Sequence, residues 1–131
     1  MTTVEYLKQV YRYDVIINIF EEFIKSAEHD IKAYDMVAPY SDRVRAVIAS
    51  AEKRKKINIS CRKEIIKGIE AIQEPACRTV LYARYVEHKD WKTISNDMMY
   101  DCRTVFRIHK KAINLFENLK ATSDTLVTVK R

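Results

Sequence analysis

Four polar side chains near the carboxyl end are spaced by four, three and four residues: Arg103, Arg107, Lys110 and Asn114. That spacing places them on one face of an α-helix. A guanidinium group can donate two hydrogen bonds to one guanine or pair with a phosphate, whereas an ammonium group acts as a point charge. The pattern therefore predicts a basic helix face that contacts a nucleic acid.

The two ends of such a face have different roles, because the N-terminal residues of a helix in a groove meet base edges and later residues meet phosphates. The candidates for base contacts are Arg103, Thr104 and Arg107. The candidates for phosphate contacts are Lys92, Tyr100, Lys110, Lys111 and Asn114. The alternative is that these residues are only the solvated charges of a surface helix.

Other residues that carry chemistry are too dispersed to form a site. The cysteines lack CxxC spacing and the histidines lie far apart in sequence, which argues against a zinc site and a disulfide framework. The glycine-rich motifs that bind phosphates are absent, and Gly68 is the only glycine. We therefore expect no metal, no cofactor and no enzymatic activity. His109 is expected to be a partly buried imidazole rather than a catalytic group.

Composition indicates the fold class. One glycine and two prolines cannot supply the turns of a β-sandwich or a doubly wound sheet, so the chain is predicted to be all-α. Hydrophobic residues make up 47% of the sequence, which predicts a folded protein. No apolar run is long enough to span a bilayer, and the first residues do not resemble a signal peptide. We therefore expect a cytoplasmic protein without membrane contact.

The first long segment shows a regular apolar stripe at alternating intervals of four and three residues, here called the seam: Tyr6, Val10, Tyr13, Ile17, Phe20, Ile24, Ala27, Ile31 and Tyr34. Thr2 and Glu5 have capping-box spacing, so the helix is predicted to begin at residue 3 and to end at Pro39. A helix of this length needs a partner. A helix over 60–73 could form an antiparallel hairpin with it, or the seam could join two copies in a coiled coil.

The stretch between these helices is less regular. Ser41 could cap a helix there, and the charged run 53–56 could be its end or its continuation. Charge is also uneven, with seven acidic and four basic residues in 1–36 but nine basic and three acidic residues in 37–67. The basic portion suggests a polyanionic partner.

From Pro75 onward the pattern predicts three helices. Pro75 suits a first helical turn, and that helix should continue to about Val86. Asp90 and Asp101 are N-cap candidates for a short helix ending near Met98 and a basic helix over about 102–119. Their predicted core consists of Trp91, Ile94, Val105, Ile108, Ala112 and Phe116. Two helices joined by a tight turn, the second one basic, form a helix-turn-helix.

The division that follows is a helical arm over 1–73, a helix-turn-helix head over 74–120 and a flexible tail over 121–131. The tail sequence lacks helical periodicity. The arm is expected either to form a homodimer or to dock on a partner.

The helices after Pro75 resemble a known DNA-binding module. The stretch 80–119 is similar to the fourth-region DNA-binding module of bacterial sigma factors, with Ile94, Asp101, Val105, Ala112 and Phe116 at the matching positions. The whole chain resembles small phage-encoded proteins of Gram-positive hosts, which are related in pattern to phage late-transcription regulators of the ArpU and RinA type. The triplet at 42–44, Asp-Arg-Val, belongs to that resemblance.

The resemblance implies a phage or prophage transcriptional regulator that binds double-stranded DNA in the bacterial cytoplasm, either as an activator or as a repressor. The alternative is an interaction protein that docks on a host complex such as RNA polymerase and keeps the helix-turn-helix only as a structural core. Two positions depart from the module. Met99 stands where a glycine usually supplies a positive φ, so the turn could differ in shape, and Asp101 replaces the usual serine cap.

Overall fold

The computed structural model describes the backbone of residues 1–129 and the side chains of residues 1–122. The first helix, α1, spans Thr3–Ala33. Its predicted capping box is confirmed: the Thr2 N–H donates to a Glu5 carboxylate oxygen (3.0 Å), and the Glu5 N–H donates to the Thr2 hydroxyl (3.1 Å). These reciprocal bonds satisfy backbone donors that have no partner within the helix.

The end of α1 differs from the prediction, which placed it at Pro39. Asp35 adopts a left-handed conformation with φ of 47°. The Met36 N–H then donates to the Ile31 carbonyl (3.1 Å), and the Asp35 N–H donates to that of Lys32 (3.3 Å). This pair of bonds is a Schellman motif, which closes the helix before the proline is reached.

The second helix, α2, spans Tyr40–Glu70 without interruption. The charged run 53–56 is therefore a continuation, and the separate helix predicted over 60–73 is the second half of α2. Ser41 is buried within the first turn rather than preceding the helix as its cap. No proline or glycine lies between Tyr40 and Lys67 to break the helix.

The two long helices pack as an antiparallel hairpin, here described over residues 12–62. Ile24 of α1 packs with Ile48 and Ala51 of α2. Partly buried apolar residues surround that cluster: Phe20, Ala27, Ile31 and Val44. Lys55 approaches Glu21 at 3.9 Å, and Arg62 donates to Asp14 nearer the other end. From Phe20 to Ile31 the seam thus packs within one chain. The predicted antiparallel hairpin is confirmed, but α1 packs here against an earlier part of α2 than the predicted 60–73.

The third helix, α3, spans Pro75–Leu81 and continues into a π-helical turn over Tyr82–Val86. The Glu87 N–H donates to the Tyr82 carbonyl, five residues earlier, which defines the wider turn. Two further helices complete the region: α4 spans Trp91–Met98 and α5 spans Cys102–Val129.

The last helix is longer than predicted. α5 continues beyond Leu119 to Val129, so the backbone of the segment expected to be a flexible tail is helical as far as that residue. The Thr122 hydroxyl donates to the Asn118 carbonyl within this extension. No glycine or proline follows Leu119, and the predicted end of the helix came too early because weak apolar periodicity does not by itself end a helix. Lys130 and Arg131 lie outside the described residues.

The chain divides into two compact units. One comprises Met1–Tyr11 with Lys63–Arg131, here called the head unit, and the other comprises Arg12–Arg62, the hairpin unit. This boundary differs from the predicted one at residues 73 and 74, because the start of α1 and the end of α2 belong with the head. No helix within residues 1–129 is both long and apolar enough to cross a membrane.

Candidate nucleic-acid interface

Helix α4 is held at its start by a predicted cap. The Asp90 side chain accepts a hydrogen bond from the Thr93 N–H (2.8 Å), and these contacts lower the pKa of Asp90. Lys89 forms an ion pair with Asp97 across the helix (3.0 Å). The start of α4 therefore lies where the sequence places it, because an N-cap is decided by residues within one turn.

The turn after α4 contains a left-handed residue, as the helix-turn-helix pattern requires. Met99 has φ of 59° and ψ of 32°. The Tyr100 N–H donates to the Ser95 carbonyl (3.2 Å), and the Met99 N–H donates to that of Asn96 (3.3 Å). The buried Ser95 hydroxyl closes the loop by donating to the Tyr100 carbonyl. Methionine thus occupies a conformation that favours glycine.

Helix α5 begins immediately after this turn. The Asp101 side chain accepts from the Thr104 N–H (2.8 Å), which confirms the predicted cap. The contacts with Thr104, and to a lesser extent the charge of Arg107, lower the pKa of Asp101. The carboxylate is therefore ionised at neutral pH, and it lies at the end of the helix that carries the base-contact candidates.

A small apolar cluster fixes α4 and α5 to the helix before them. It consists of Val80, Ala83, Ile94 and Val105, with Trp91, Met98 and Ile108 packed around it. Ala112 is also buried. Phe116, the last predicted core residue, is buried but lies at a different place: its ring contacts Tyr6 of α1 at a centroid distance of 6.0 Å.

The outward face of α5 carries the predicted basic residues. Arg103, Arg107 and Lys110 are exposed, as is Asn114 one turn later. Thr104 is half-buried, and its backbone is held by Asp101. Because Val105 and Ala112 are buried on the opposite side, the basic face points away from the core. Within the described residues, Arg103 and Lys110 have no ion-pair partner that would neutralise them.

The phosphate-contact candidates do not all lie on that face. Lys92 and Tyr100 are exposed on α4 and in the turn. Lys111, by contrast, pairs with Glu74 at the start of α3, with 2.9 Å between Nζ and Oε1. The hydrogen bond in this pair raises the pKa of Lys111 and lowers the pKa of Glu74. A local carboxylate thus already balances the charge of Lys111.

An aromatic group lies beside the basic face. The Trp91 ring meets the rings of Phe106 and His109 edge-on, at centroid distances of 5.1 and 4.8 Å, and Arg84 lies 4.5 Å above it. His109 Nε2 shares a hydrogen bond with the Tyr85 hydroxyl (2.7 Å). Burial, and then the charge of Arg84, lowers the pKa of His109. The imidazole is thus a neutral packing group.

Phe106 is a surface residue that the sequence reasoning missed. It is 49% exposed although it is aromatic, and it lies at the edge of the basic face, where its ring contacts Trp91. The sequence alone could have indicated an exposed aromatic residue here, since Phe106 borders the polar face and directly follows the core residue Val105. An apolar group at this position could contact the methyl group of thymine.

The described residues give no sign of a metal centre. No three His, Cys, Asp or Glu side chains within them come together in a way that could hold an ion. Comparison with protein-family models, curated proteins and solved structures gives no match to this chain. Function is therefore inferred from the residues of the α4–α5 surface and their chemistry.

Proposed function

We propose that this protein binds double-stranded DNA by placing the first half of α5 in the major groove, and that it regulates transcription in a bacterial host of phage or prophage DNA. The observation that carries the proposal is the exposed basic face of α5 behind a capped tight turn, on which Arg103 and Lys110 have no ion-pair partner within the described residues. An α-helix fits the major groove, and cations on its outer face release counterions from the phosphates.

The roles of the side chains follow from their positions. Arg103 lies in the first turn of α5, where it would reach a base edge and donate two hydrogen bonds to a guanine. Thr104 and Arg107 would contact neighbouring bases, with Phe106 against a thymine methyl group. The phosphate contacts are assigned to Lys92, Tyr100, Lys110 and Asn114.

Two features would moderate the affinity. Asp101 sets a negative charge at the end of the helix that meets the bases, and phosphates repel it. Lys111 would have to leave Glu74 to reach a phosphate, so its contribution is smaller than that of Lys110. Both features favour a binder that depends on correct base contacts more than on charge alone.

The proposal is tested by selecting bound fragments from a pool of phage and host genomic DNA, and by titrating the best site with salt. Arg103→Ala should weaken binding to that site by about 1–3 kcal/mol and relax one base position. Lys110→Ala should weaken binding to all sequences similarly and reduce the salt dependence. Lys25→Ala, an exposed change on α1, is the matched control.

Two results would contradict the proposal. If no fragment is enriched, the α4–α5 surface is not a DNA reader, and the chain is better explained as an interaction protein. If Arg103→Ala weakens specific and random DNA equally, Arg103 does not read a base.

A further inference from the structure

The hairpin unit carries an apolar groove alongside the buried part of the seam. Ile19 and Phe23 of α1 and Val47 of α2 form its rim, and they are 60%, 44% and 53% exposed. The remaining lining residues are Phe20, Ala46, Ser50, Ala51 and Arg54. Exposed apolar residues that are contiguous, rather than scattered, mark an interaction surface.

The exposed rim of this groove lies on a different face of α1 from the seam, although the seam residue Phe20 also lines the groove. Val15, Ile19 and Phe23 follow one another at four-residue intervals and so form a stripe of their own. The seam residue Ile24 is buried against α2, whereas Ile19 stays more than half exposed. Packing within the hairpin therefore satisfies one apolar face of α1 and leaves the second one open.

Charge indicates what covers the open face. Residues 12–33 of α1 contain five acidic and three basic side chains, whereas residues 40–62 of α2 contain seven basic and two acidic ones. One acidic and one basic helix thus border the same groove. A surface of this kind is complementary to itself under a two-fold rotation, which brings the acidic helix of one copy against the basic helix of the other.

Two charged residues beside the groove lie where pairing between two copies would require them. Glu22 is exposed on α1, adjacent to Phe23 and three residues from Ile19, so it flanks the apolar stripe. Arg54 lines the groove on α2.

We propose that a second copy of this chain covers the groove, forming a two-fold dimer in which the two hairpins pack face to face as a four-helix bundle. In this dimer α1 of each copy lies against α2 of the other. Ile19, Phe23 and Val47 become buried, and Glu22 of each copy pairs with Arg54 of the other. The dimer surface is thus the groove, not the seam.

Sedimentation of the full chain tests the proposal. The wild type should sediment as a dimer at micromolar concentration. Ile19→Lys and Val47→Lys should each raise the dissociation constant at least about 100-fold, because either change buries an unpaired charge. Both positions are exposed within one chain, so helicity and folding of the monomer should be kept. Ala49→Lys, an exposed change on α2 outside the groove, should leave the dimer intact.

Charge reversal tests the orientation of the two copies. Glu22→Arg and Arg54→Glu should each weaken the dimer, because each puts like charges together. The double variant should recover most of the lost affinity, because the pair is restored with its signs exchanged. A double variant as weak as the sum of the single changes would rule out the contact between α1 and the partner's α2.

Other outcomes overturn the proposal as a whole. These are a wild type that stays monomeric at all concentrations, a dimer that tolerates both lysine variants, and an assembly that grows beyond two copies. The test does not depend on DNA. The DNA affinity of Ile19→Lys is measured separately, so failure of the dimer and failure of DNA binding are distinguishable.

Discussion

Residues with a left-handed backbone conformation lie in the turns of this chain. Asp35, His88 and Met99 have φ of 47°, 58° and 59°, although none is a glycine. A non-glycine residue in this region brings its Cβ close to a backbone carbonyl, at a cost of roughly 1–2 kcal/mol. The turn between α4 and α5 therefore stores conformational strain at Met99, whose side chain is 91% exposed.

We predict that Met99→Gly stabilises the protein by up to about 1 kcal/mol, because glycine relieves the backbone strain. The gain is limited because glycine also increases the conformational freedom of the unfolded chain. Thermal and urea unfolding would measure the change. Asn96→Gly, an exposed change inside α4, should instead destabilise by up to about 0.5 kcal/mol, because glycine has a lower helix propensity than asparagine. A destabilised Met99→Gly variant would mean that the methionine side chain contributes more than its conformation costs.

His109 is the other residue whose chemistry predicts a measurable effect. Its pKa is lowered by burial and by Arg84, so the unfolded chain binds a proton at higher pH than the folded chain. The stabilisation from neutral His109 is thus fully present above the unfolded pKa of about 6.5 and is lost as the pH falls below it.

We expect the free energy of unfolding to decline between about pH 7 and pH 5, a range above the ordinary titration of carboxylates. His109→Gln should flatten that decline, because glutamine stays neutral. His29→Gln, at an exposed position, is the control. An unchanged slope in His109→Gln would show that the imidazole does not control the pH response.

At the scale of the elements, the close approach of α2 and α5 depends on one small residue. Gly68 lies inside α2, where glycine normally weakens a helix by about 1 kcal/mol. A Cβ added there would lie 2.7 Å from Cε2 of Phe116. Phe116 is buried and also contacts Tyr6, and its ring must shift to admit the added carbon. The sole glycine therefore serves helix packing rather than a turn.

Gly68→Ala should destabilise the protein by up to about 2 kcal/mol, because overpacking outweighs the gain in helix propensity. Phe116→Leu should partly rescue it, making the double variant more stable than the sum of the single changes predicts. Denaturant unfolding of the four proteins gives the coupling. Additive effects would show that α2 and Phe116 are not in contact.

At the scale of the whole molecule, the head unit is completed by the start of the chain. Leu7 and Val10 are fully buried. The Thr3 hydroxyl donates to a Glu117 carboxylate oxygen (2.6 Å), and Lys120 lies 3.5 Å above the Tyr6 ring. These contacts join residues more than a hundred positions apart in sequence. A three-helix head alone would bury too little surface, and the first turns of α1 add to its core.

Leu7→Ala should therefore destabilise the head by about 2–5 kcal/mol, although Leu7 is remote in sequence from α4 and α5. Fluorescence of Trp91, the only tryptophan, reports unfolding of the head directly. Lys8→Ala, at the exposed neighbouring position, should change stability by less than about 0.5 kcal/mol. If the Trp91 fluorescence transition occurs at the same denaturant concentration in Leu7→Ala and in the wild type, the head does not need α1.

The sequence by itself determined the features that arise within a few residues. The capping box at Thr2 and Glu5, and the caps at Asp90 and Asp101, were predictable because a cap depends on residues three positions apart. The all-α class followed from composition, because one glycine and two prolines cannot supply the turns of a sheet. The roles of Arg103 and its neighbours in binding DNA stay predictions, because they concern a partner.

Tertiary structure decided what depends on residues distant in sequence. The pairing of Lys111 with Glu74 and the packing of Phe116 against Gly68 leave no local signal, since each partner alone looks ordinary. The choice of the seam for packing within the hairpin is of the same kind, because an apolar stripe serves either arrangement equally well. Because that stripe is buried within the hairpin, the second apolar face of α1 is left exposed at the groove.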